Sequence, residues 1–306
     1  MIEEKINKTH PAVRILVVPL DWGLGHATRC IPIINYLQSQ GIEVILAGEG
    51  ETVKIFGNTQ SKSVILPLKG YRVRYSRNKG LFFLKMLIQF PKIIAAIFHE
   101  RNWLKKTVVT HQIDAVISDN RFGLSHPGIP TVFISHQLAI KTGNSLLDAI
   151  AQKINYHFIN KFNECWVPDL EAGNNLAGNL SHPKNLPKIP VSYLGILSRF
   201  KKYPAEKKYN LLIILSGPEP QRSIFENLLI EQLKNIKGRI ALVRGLPVND
   251  IPLSPGFEHA EIYNHLPAEN LNEIILQSEN IIARCGYSTV MDLVTLQQKA
   301  ILVPTP

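Results

Sequence analysis

The sequence predicts an α/β protein of two halves, each built around a parallel β-sheet with helices on both faces. Three observations predict this class. Short apolar runs alternate with segments of helical spacing, several runs end in Gly-containing turns, and the alternation starts again after a polar, Pro-rich region. The chain has 306 residues, of which 45% are hydrophobic and 19% charged, and this length suffices for two globular cores.

The first half opens with the apolar run Val13–Leu20, which predicts a buried strand. Residues 26–40 have helical spacing, and Gly41 ends the predicted helix. Five more strands are expected in this half, at Ile42–Ala47, Val64–Leu68, Asp114–Ser118, Thr131–Ser135 and Asn163–Val167.

A shift to polar, Pro-rich composition between 183 and 208 predicts a boundary between domains 1–195 and 196–306. The second domain is expected to hold strands at Leu211–Leu215, Arg239–Val243, Glu261–Tyr263, Asn280–Ala283 and Ala300–Val303, with helices at Ser223–Asn235, Leu271–Gln277 and Tyr287–Gln297. Parallel sheets bind ligands outside the carboxyl ends of their strands, so we expect a ligand cleft between the two domains.

The cysteines and the N-terminus exclude several classes of protein. Cys30, Cys165 and Cys285 are far apart and form no C-x-x-C pair, which argues against a disulfide framework or a zinc site and favours a reducing cytoplasm. The first 13 residues are polar with scattered acids and do not form a secretory signal.

The net charge of +10 lies in one stretch, because 62–106 contains 11 Lys and Arg and one acid, Glu100. A local basic field attracts an anionic membrane or a polyanion. Nucleic acid is disfavoured as a partner, because aromatic residues are not interleaved with the basic ones. A solvated basic loop is the alternative.

The same stretch contains an apolar run over 81–98. Lys85, Pro91 and Lys92 interrupt it, so we do not expect it to cross a bilayer. Two interpretations stay open: a helix that lies in the membrane interface, and a helix mostly buried in the protein with its lysines extended to solvent.

The turn after the first strand contains Gly23, Gly25 and His26. The glycines permit close approach of the backbone to a phosphate at the helix N-terminus, and His26 can act as a donor or a base. A dinucleotide fingerprint would place a third Gly at the position of Thr28, although Glu49 could serve as its ribose-binding acid, so NAD is a minor alternative. A His that merely packs at the helix start is another.

His136 follows the strand that ends at Ser135, on the same predicted sheet edge as His26. Together with Asp119, which also ends a strand, and Gln137, these residues form a candidate acceptor site. A purely structural role for a histidine at a strand end is the alternative.

In the second domain, the candidate donor site is the strand–Gly–helix junction with Cys285, Gly286, Ser288 and Thr289. Gly286 opens the turn, and the hydroxyl and N–H groups that follow suit a diphosphate. Asp292, one turn into the helix, can accept hydrogen bonds from ribose hydroxyls. Ordinary helix capping explains the same pattern. Three further candidates for phosphate binding are Ser216, Gly217 and Arg222, and Arg199 in the crossover is a fourth.

These motifs resemble the glycosyltransferase GT-B superfamily, specifically its family 28 type. Gly23–His26 is similar to that family's N-terminal glycine loop, and Arg199 to its phosphate-contacting Arg. Ser135–Gln137 is similar to its strand end, although Gln137 replaces a Glu. The run Arg284–Asp292 matches the donor-binding segment almost position by position, with Asp292 in place of Glu.

The resemblance implies two Rossmann-like domains, with the acceptor bound by 1–195 and the nucleotide sugar by 196–306. It implies inverting transfer from a UDP-sugar, most often UDP-N-acetylglucosamine, to an acceptor hydroxyl, which a lipid may carry in this family. His26 is the first candidate base and His136 the second. Arg199 or Arg222 and the turn at Gly286 would stabilise the leaving UDP, with no metal and no cofactor beyond the donor substrate.

The resemblance also implies a cytoplasmic enzyme at the inner face of the membrane. Because the family continues beyond the strand that ends near Pro304, the second domain is expected to be incomplete. Two rival functions stay open: a sugar-nucleotide epimerase of the same fold, and a non-catalytic module that binds anionic lipid through 62–106.

Overall fold

The structure is a computed structural model that describes residues 12–21, 24–59, 63–72, 82–217, 219–233, 236–246 and 260–304. Two parallel sheets lie in these ranges, one of seven strands and one of five. Each sheet has helices connecting its strands, as the alternation in the sequence predicts. The predicted α/β class is therefore confirmed.

The first sheet has the strand order β3-β2-β1-β4-β5-β6-β7, and all of its strand pairs are parallel. Its strands are β1 (Arg14–Pro19), β2 (Glu43–Gly48), β3 (Val64–Pro67), β4 (Ala115–Asp119), β5 (Thr131–Ile134), β6 (Glu164–Val167) and β7 (Val191–Tyr193). Its helices are α1 (Leu24–Ser39), α2 (Glu51–Thr59), α3 (Phe82–His111) and α4 (Ser145–Ile159), and a 3-10 turn spans Gly178–Leu180.

The second sheet has the order β10-β9-β8-β11-β12, again with parallel pairs only. Its strands are β8 (Tyr209–Ile214), β9 (Ile240–Val243), β10 (Ala260–Tyr263), β11 (Ser278–Arg284) and β12 (Ile301–Val303). Its helices are α5 (Gln221–Leu233), α6 (Ala268–Leu276) and α7 (Tyr287–Leu296). The predicted boundary at 195/196 falls between β7 and β8.

Strand β1 shows why the first sheet is buried on both faces. Val17 packs with α1 and α2 on one face, whereas Leu16 and Val18 pack with Leu104 of α3 on the other. The sequence of such a strand is a continuous apolar run, and this pattern predicted β1.

The strand order reverses between β1 and β4 in the first sheet and between β8 and β11 in the second. Ligands of doubly wound sheets bind at these switch points. Helix α1 starts just after β1, and α7 starts just after β11, so the N-terminus of one helix lies at each switch point.

Helix α3 is anchored by a buried ion pair. Glu100, the one acid of the basic stretch, is fully buried and accepts from Arg121 Nε at 2.7 Å, from Gly123 N at 2.9 Å and from Tyr71 Oη at 3.0 Å. Burial raises the pKa of Glu100, against the opposing effect of Arg121. The carboxylate therefore fastens the helix to the ends of β3 and β4.

Most of the apolar run over 81–98 lies in α3, and its described side chains, from residue 88 onward, include buried and exposed apolar ones. Ile97 is buried against the first domain, whereas Ile88 and Phe98 are exposed. Lys92 is exposed and donates to the carbonyl of Arg72 at 2.7 Å, whereas the side chain of Lys85 lies outside the described ones. Among the described residues, no helix has the length and apolarity to cross a membrane.

Candidate functional site

The N-termini of α1 and α7 meet between the two sheets. Ser288 Oγ of α7 donates to the carbonyl of Gly25 in α1 at 2.9 Å. A Cβ at position 25 would lie 2.7 Å from Ser288 Oγ, so this approach requires glycine. The other glycine of the predicted loop, Gly23, lies outside the described residues.

His26 and Asp119 come together at the carboxyl edge of the first sheet, as the sequence predicts. His26 Nδ1 lies 3.2 Å from Asp119 Oδ1, and the aspartate is fully buried. Burial and the charge of Arg29 lower the pKa of His26 in spite of Asp119, so the imidazole is neutral at pH 7. Burial alone would raise the pKa of Asp119, but Arg29 and His26 hold it well below its usual range.

Arg29 occupies the centre of this cluster, and the sequence analysis missed it. Its guanidinium is 3% exposed and donates through Nε to Asp119 Oδ2 at 2.6 Å, with a second bond from Nη2 to Oδ1. The same guanidinium lies 2.7 Å from His26 Nδ1 and 3.1 Å from His136 Nδ1. One signal for it was available, since an Arg three residues after His26 lies on the same helix face.

His136 links the two domains. Its ring stacks on the ring of Tyr287 with centroids 4.0 Å apart and planes 4° from parallel, and Tyr287 Oη donates to the carbonyl of Pro168 at 2.7 Å. Burial, then Arg29 and His26, lower the pKa of His136 to about 3. The next residue, Gln137, is exposed, and its backbone N donates to Ser135 Oγ at 3.0 Å.

The predicted donor segment forms the start of α7. Gly286 is the residue before the helix, in an extended conformation, and its carbonyl accepts from Val290 N at 3.0 Å. The side chain of Cys285 is exposed, and its backbone N donates to Val303 at 2.9 Å. Ser288 and Thr289 are partly exposed in the first turn, which offers free N–H groups and the positive end of the helix dipole.

Asp292 and Arg199 lie at the junction of the two domains. Ser198 Oγ donates to Asp292 Oδ1 at 2.5 Å. Burial raises the pKa of Asp292 to about 6, although Ser198 and Arg199 oppose the rise. The guanidinium of Arg199 lies 5.2 Å from the ring of Phe200, and its Nε is one of two buried side-chain atoms without a hydrogen-bond partner in the described part of the chain.

Arg222 forms ion pairs with carboxylates of its own domain. It is 2% exposed and pairs with Glu219 at 2.6 Å and with Glu226, which in turn pairs with Arg244 at 2.8 Å. Because its guanidinium is committed to this network, the structure does not bring it to the switch point as a free cation, and we leave it out of the proposed donor site.

Ser216 and Gly217 follow β8 at the second switch point, as predicted from the sequence. Gly217 has a φ of +102°, a conformation that favours glycine. Arg284 closes the end of β11 by donating to the carbonyls of Pro304 at 2.9 Å and Gln221 at 3.0 Å. The loop after β8 is thereby held beside the start of α7.

The residue that would serve an NAD site is paired within the protein. The carboxylate of Glu49, the candidate ribose acid of an NAD site, accepts from Gly70 N at 2.8 Å and from Arg72 Nε at 2.8 Å. The hydrogen bond from Arg72 lowers the pKa of Glu49 to about 2. Among the described residues, no group of three or more His, Cys, Asp or Glu side chains is arranged to hold a metal ion.

Comparison with known proteins gives a consistent set of relatives. No protein-family model matches the chain. The chain is 22% identical over 284 residues to the UDP-N-acetylglucosamine--N-acetylmuramyl-(pentapeptide) pyrophosphoryl-undecaprenol N-acetylglucosamine transferase of Clostridium tetani, which covers 92% of this chain and 75% of that protein.

Among solved structures, the kitacinnamycin glycotransferase is similar with a TM-score of 0.63 and 13% identity, over 97% of this chain and 82% of the other. Acinetobacter baumannii MurG is similar with a TM-score of 0.51 and 17% identity, over 97% of this chain and 79% of the other. These likenesses show the fold. Together with the sequence similarity to the clostridial transferase, they support a glycosyltransferase with the GT-B fold, similar to the family 28 type.

Proposed function

We propose that the protein transfers N-acetylglucosamine from UDP-N-acetylglucosamine to an acceptor hydroxyl, with inversion at the anomeric carbon. The observation that carries this proposal is the contact of His26 with the fully buried Asp119, at 3.2 Å, where the start of α1 meets the start of α7. The name of the clostridial relative supports the choice of UDP-N-acetylglucosamine.

His26 is the base of the proposed reaction. When Nδ1–H donates to Asp119, Nε2 is free to take the proton of the acceptor hydroxyl. The acceptor oxygen then forms the new bond to the anomeric carbon, while the bond from that carbon to the diphosphate breaks and UDP leaves with the electron pair. Asp119 stabilises the imidazolium that results, as the carboxylate of a Ser-His-Asp triad does.

The donor is proposed to bind at the start of α7. The N–H groups of its first turn, which includes Ser288 and Thr289, would receive the diphosphate, and their fixed dipoles oppose the charge that develops on UDP. Arg199 supports this arrangement, since its buried Nε lacks a partner and Asp292 is near. Asp292 would accept from the ribose hydroxyls, with Ser198 holding its second oxygen.

The acceptor is proposed to be lipid-linked and reached from an anionic membrane on the cytoplasmic side. Ile88 is 69% exposed and Phe98 58% exposed on α3, within the basic stretch over 62–106. Exposed apolar side chains beside basic ones favour binding to anionic lipid. The same surface would suit the rival lipid-binding module, so lipid binding alone does not establish catalysis.

The donor site is tested first by calorimetry of the full chain with UDP, UDP-N-acetylglucosamine, GDP and NAD. We expect binding of UDP and its sugar, with binding weakened in Asp292→Ala. A folded chain that binds none of the nucleotides, or that binds NAD in preference, would contradict the proposal.

The chemistry is tested by following UDP release with sugar acceptors. His26→Ala is expected to lower the rate by a factor on the order of 100 to 10,000, the usual contribution of a general base. His157→Ala is the matched control, because His157 is exposed on α4. Conversion of the donor to its C2 epimer without transfer would instead establish the epimerase.

Membrane binding is tested with vesicles of phosphatidylglycerol and of phosphatidylcholine. We expect binding to the anionic vesicles only, and weaker binding for the double variant Ile88→Ser with Phe98→Ser. Val109→Ser, which changes a side chain 79% exposed outside the basic stretch, serves as the control. Equal binding of both vesicle types, or of all variants, would remove the membrane from the proposal.

A further inference from the structure

We infer that Arg29 fixes His136 in the tautomer that carries its proton on Nε2, so that His136 acts as a hydrogen-bond donor in the cleft. In this assignment Arg29 is a positioning residue, and the role of second candidate base is removed from His136. The identity of the group that receives this hydrogen bond, the donor diphosphate, rests on the proposed function; the tautomer does not.

The direction of the contact between Arg29 and His136 follows from the chemistry of the guanidinium. Arg29 Nη1 lies 3.1 Å from His136 Nδ1. A guanidinium only donates and stays protonated in proteins. The contact is therefore a hydrogen bond only if Nδ1 offers a lone pair, and in a neutral imidazole the proton is then on Nε2.

The guanidinium of Arg29 is held in a fixed orientation. Its Nε and Nη2 are bound to the two oxygens of Asp119, which is itself fully buried. The planar guanidinium is thus fixed by a fork of two bonds, and Nη1 is left to face His136. Arg29 also lies in the second turn of α1, on the face of the helix that is buried against the sheet.

His26 differs from His136 in one respect that separates their roles. His26 Nδ1 has two neighbours, Arg29 Nη2 at 2.7 Å, to which it can only offer a lone pair, and Asp119 Oδ1 at 3.2 Å, to which it can donate, so both tautomers are open to His26. In the described part of the chain, the ring of His136 has Arg29 as its hydrogen-bond partner. A free base at Nε2 is therefore open to His26 and closed to His136.

The plane of the His136 ring is set from the second domain. Tyr287 stacks on its face at 4.0 Å, and Tyr287 Oη is bound to the carbonyl of Pro168 at 2.7 Å. Tyr287 is also the first residue of α7, whose N-terminus is the proposed diphosphate site. The ring of His136 consequently lies against the first residue of that helix, and an anionic oxygen bound there would be a suitable acceptor for its Nε2–H.

The tautomer is measured by long-range ¹⁵N–¹H correlation on the full chain labelled at histidine, without nucleotide, with His136→Gln used to assign the signals. We expect His136 to show a protonated Nε2 and an unprotonated Nδ1 at pH 7, and Arg29→Lys to shift this pattern toward a mixture of tautomers. A proton on Nδ1 of His136 in the unsubstituted chain, or a charged ring at pH 7, would overturn the assignment without any variant.

The ligand is identified by calorimetry with UDP. His136→Gln retains an N–H donor and is expected to bind UDP nearly as well as the unsubstituted chain, whereas His136→Phe is expected to bind about tenfold more weakly, as for the loss of one hydrogen bond to a charged group. Equal binding by both variants would overturn the contact to the diphosphate. If the unsubstituted chain binds no UDP, the contact fails together with the proposed donor site, while the NMR result still decides the tautomer.

Discussion

Replacement of Glu100 by Gln tests whether the buried ion pair holds α3 in place. Gln keeps the shape of the side chain and can still accept from Gly123 N and Tyr71 Oη, the partners now at 2.9 Å and 3.0 Å. It removes the charge opposite Arg121, whose guanidinium is fully buried. A buried cation without its partner costs roughly 3–5 kcal/mol, out of a total stability of about 5–15 kcal/mol.

The free energy of unfolding is measured by urea denaturation at pH 7 for this variant and two others. Glu43→Gln is the control, because Glu43 pairs with Arg14 on the surface with side chains 41% and 35% exposed, and such pairs contribute about 0–1 kcal/mol. The double variant Glu100→Gln with Arg121→Met should be more stable than Glu100→Gln alone, since it no longer buries an unpaired charge. A loss below about 1 kcal/mol for Glu100→Gln would refute the reasoning and would mean that the carboxyl group is already neutral in the folded protein.

Three further predictions concern the contacts between the domains. Gly25→Ala should destabilise the protein, because the added methyl group displaces Ser288 Oγ. In the double variant, Ser288→Ala should restore part of the lost stability, and thermal denaturation of the single and double variants measures this coupling. The pKa of Asp292 is raised from 3.8 to about 6, so between these pH values the folded state binds a proton that the unfolded state has lost. The free energy of unfolding should therefore fall as the pH rises from about 4 to 6. Denaturation curves of Asp292→Asn should lack this pH-dependent fall. Tyr287→Leu removes the ring stack and the hydrogen bond to Pro168, and X-ray scattering should then show a larger radius of gyration than for Tyr287→Phe.

The strands and their order of appearance were predictable because burial on both faces leaves a strong sequence signal. Each apolar run assigned as a strand is a strand in the structure, and its ends lie within two residues of the predicted ones. Strand β7 and helices α2 and α4 were not predicted. The residues of β7 are all only partly buried, so the run of apolar residues that marks a central strand is absent there.

The meeting of His26, Asp119 and His136 was predictable for a geometric reason. Parallel strands end at one edge of a sheet, so residues that follow β1, β4 and β5 must lie near one another. The pairing of Arg222 within the protein has a physical cause that the sequence also contained. Glu219, in the turn before α5, and Glu226, within α5, lie three residues before it and four after it. Both pair with the Arg that the loop was expected to offer to a phosphate.

The roles of Arg29 and Tyr287 could not be predicted from the spacing of apolar residues in the sequence. A buried Arg in a helix is explained by its partner, and the partner of Arg29, Asp119, lies 90 residues away at the end of β4. Tyr287 acquires a function only when α7 approaches α1 closely enough for its ring to reach His136, and this approach depends on Gly25 having no side chain. The different roles that we propose for the two histidines, base and donor, thus depend on residues that the fold brings to them rather than on their own place in the sequence.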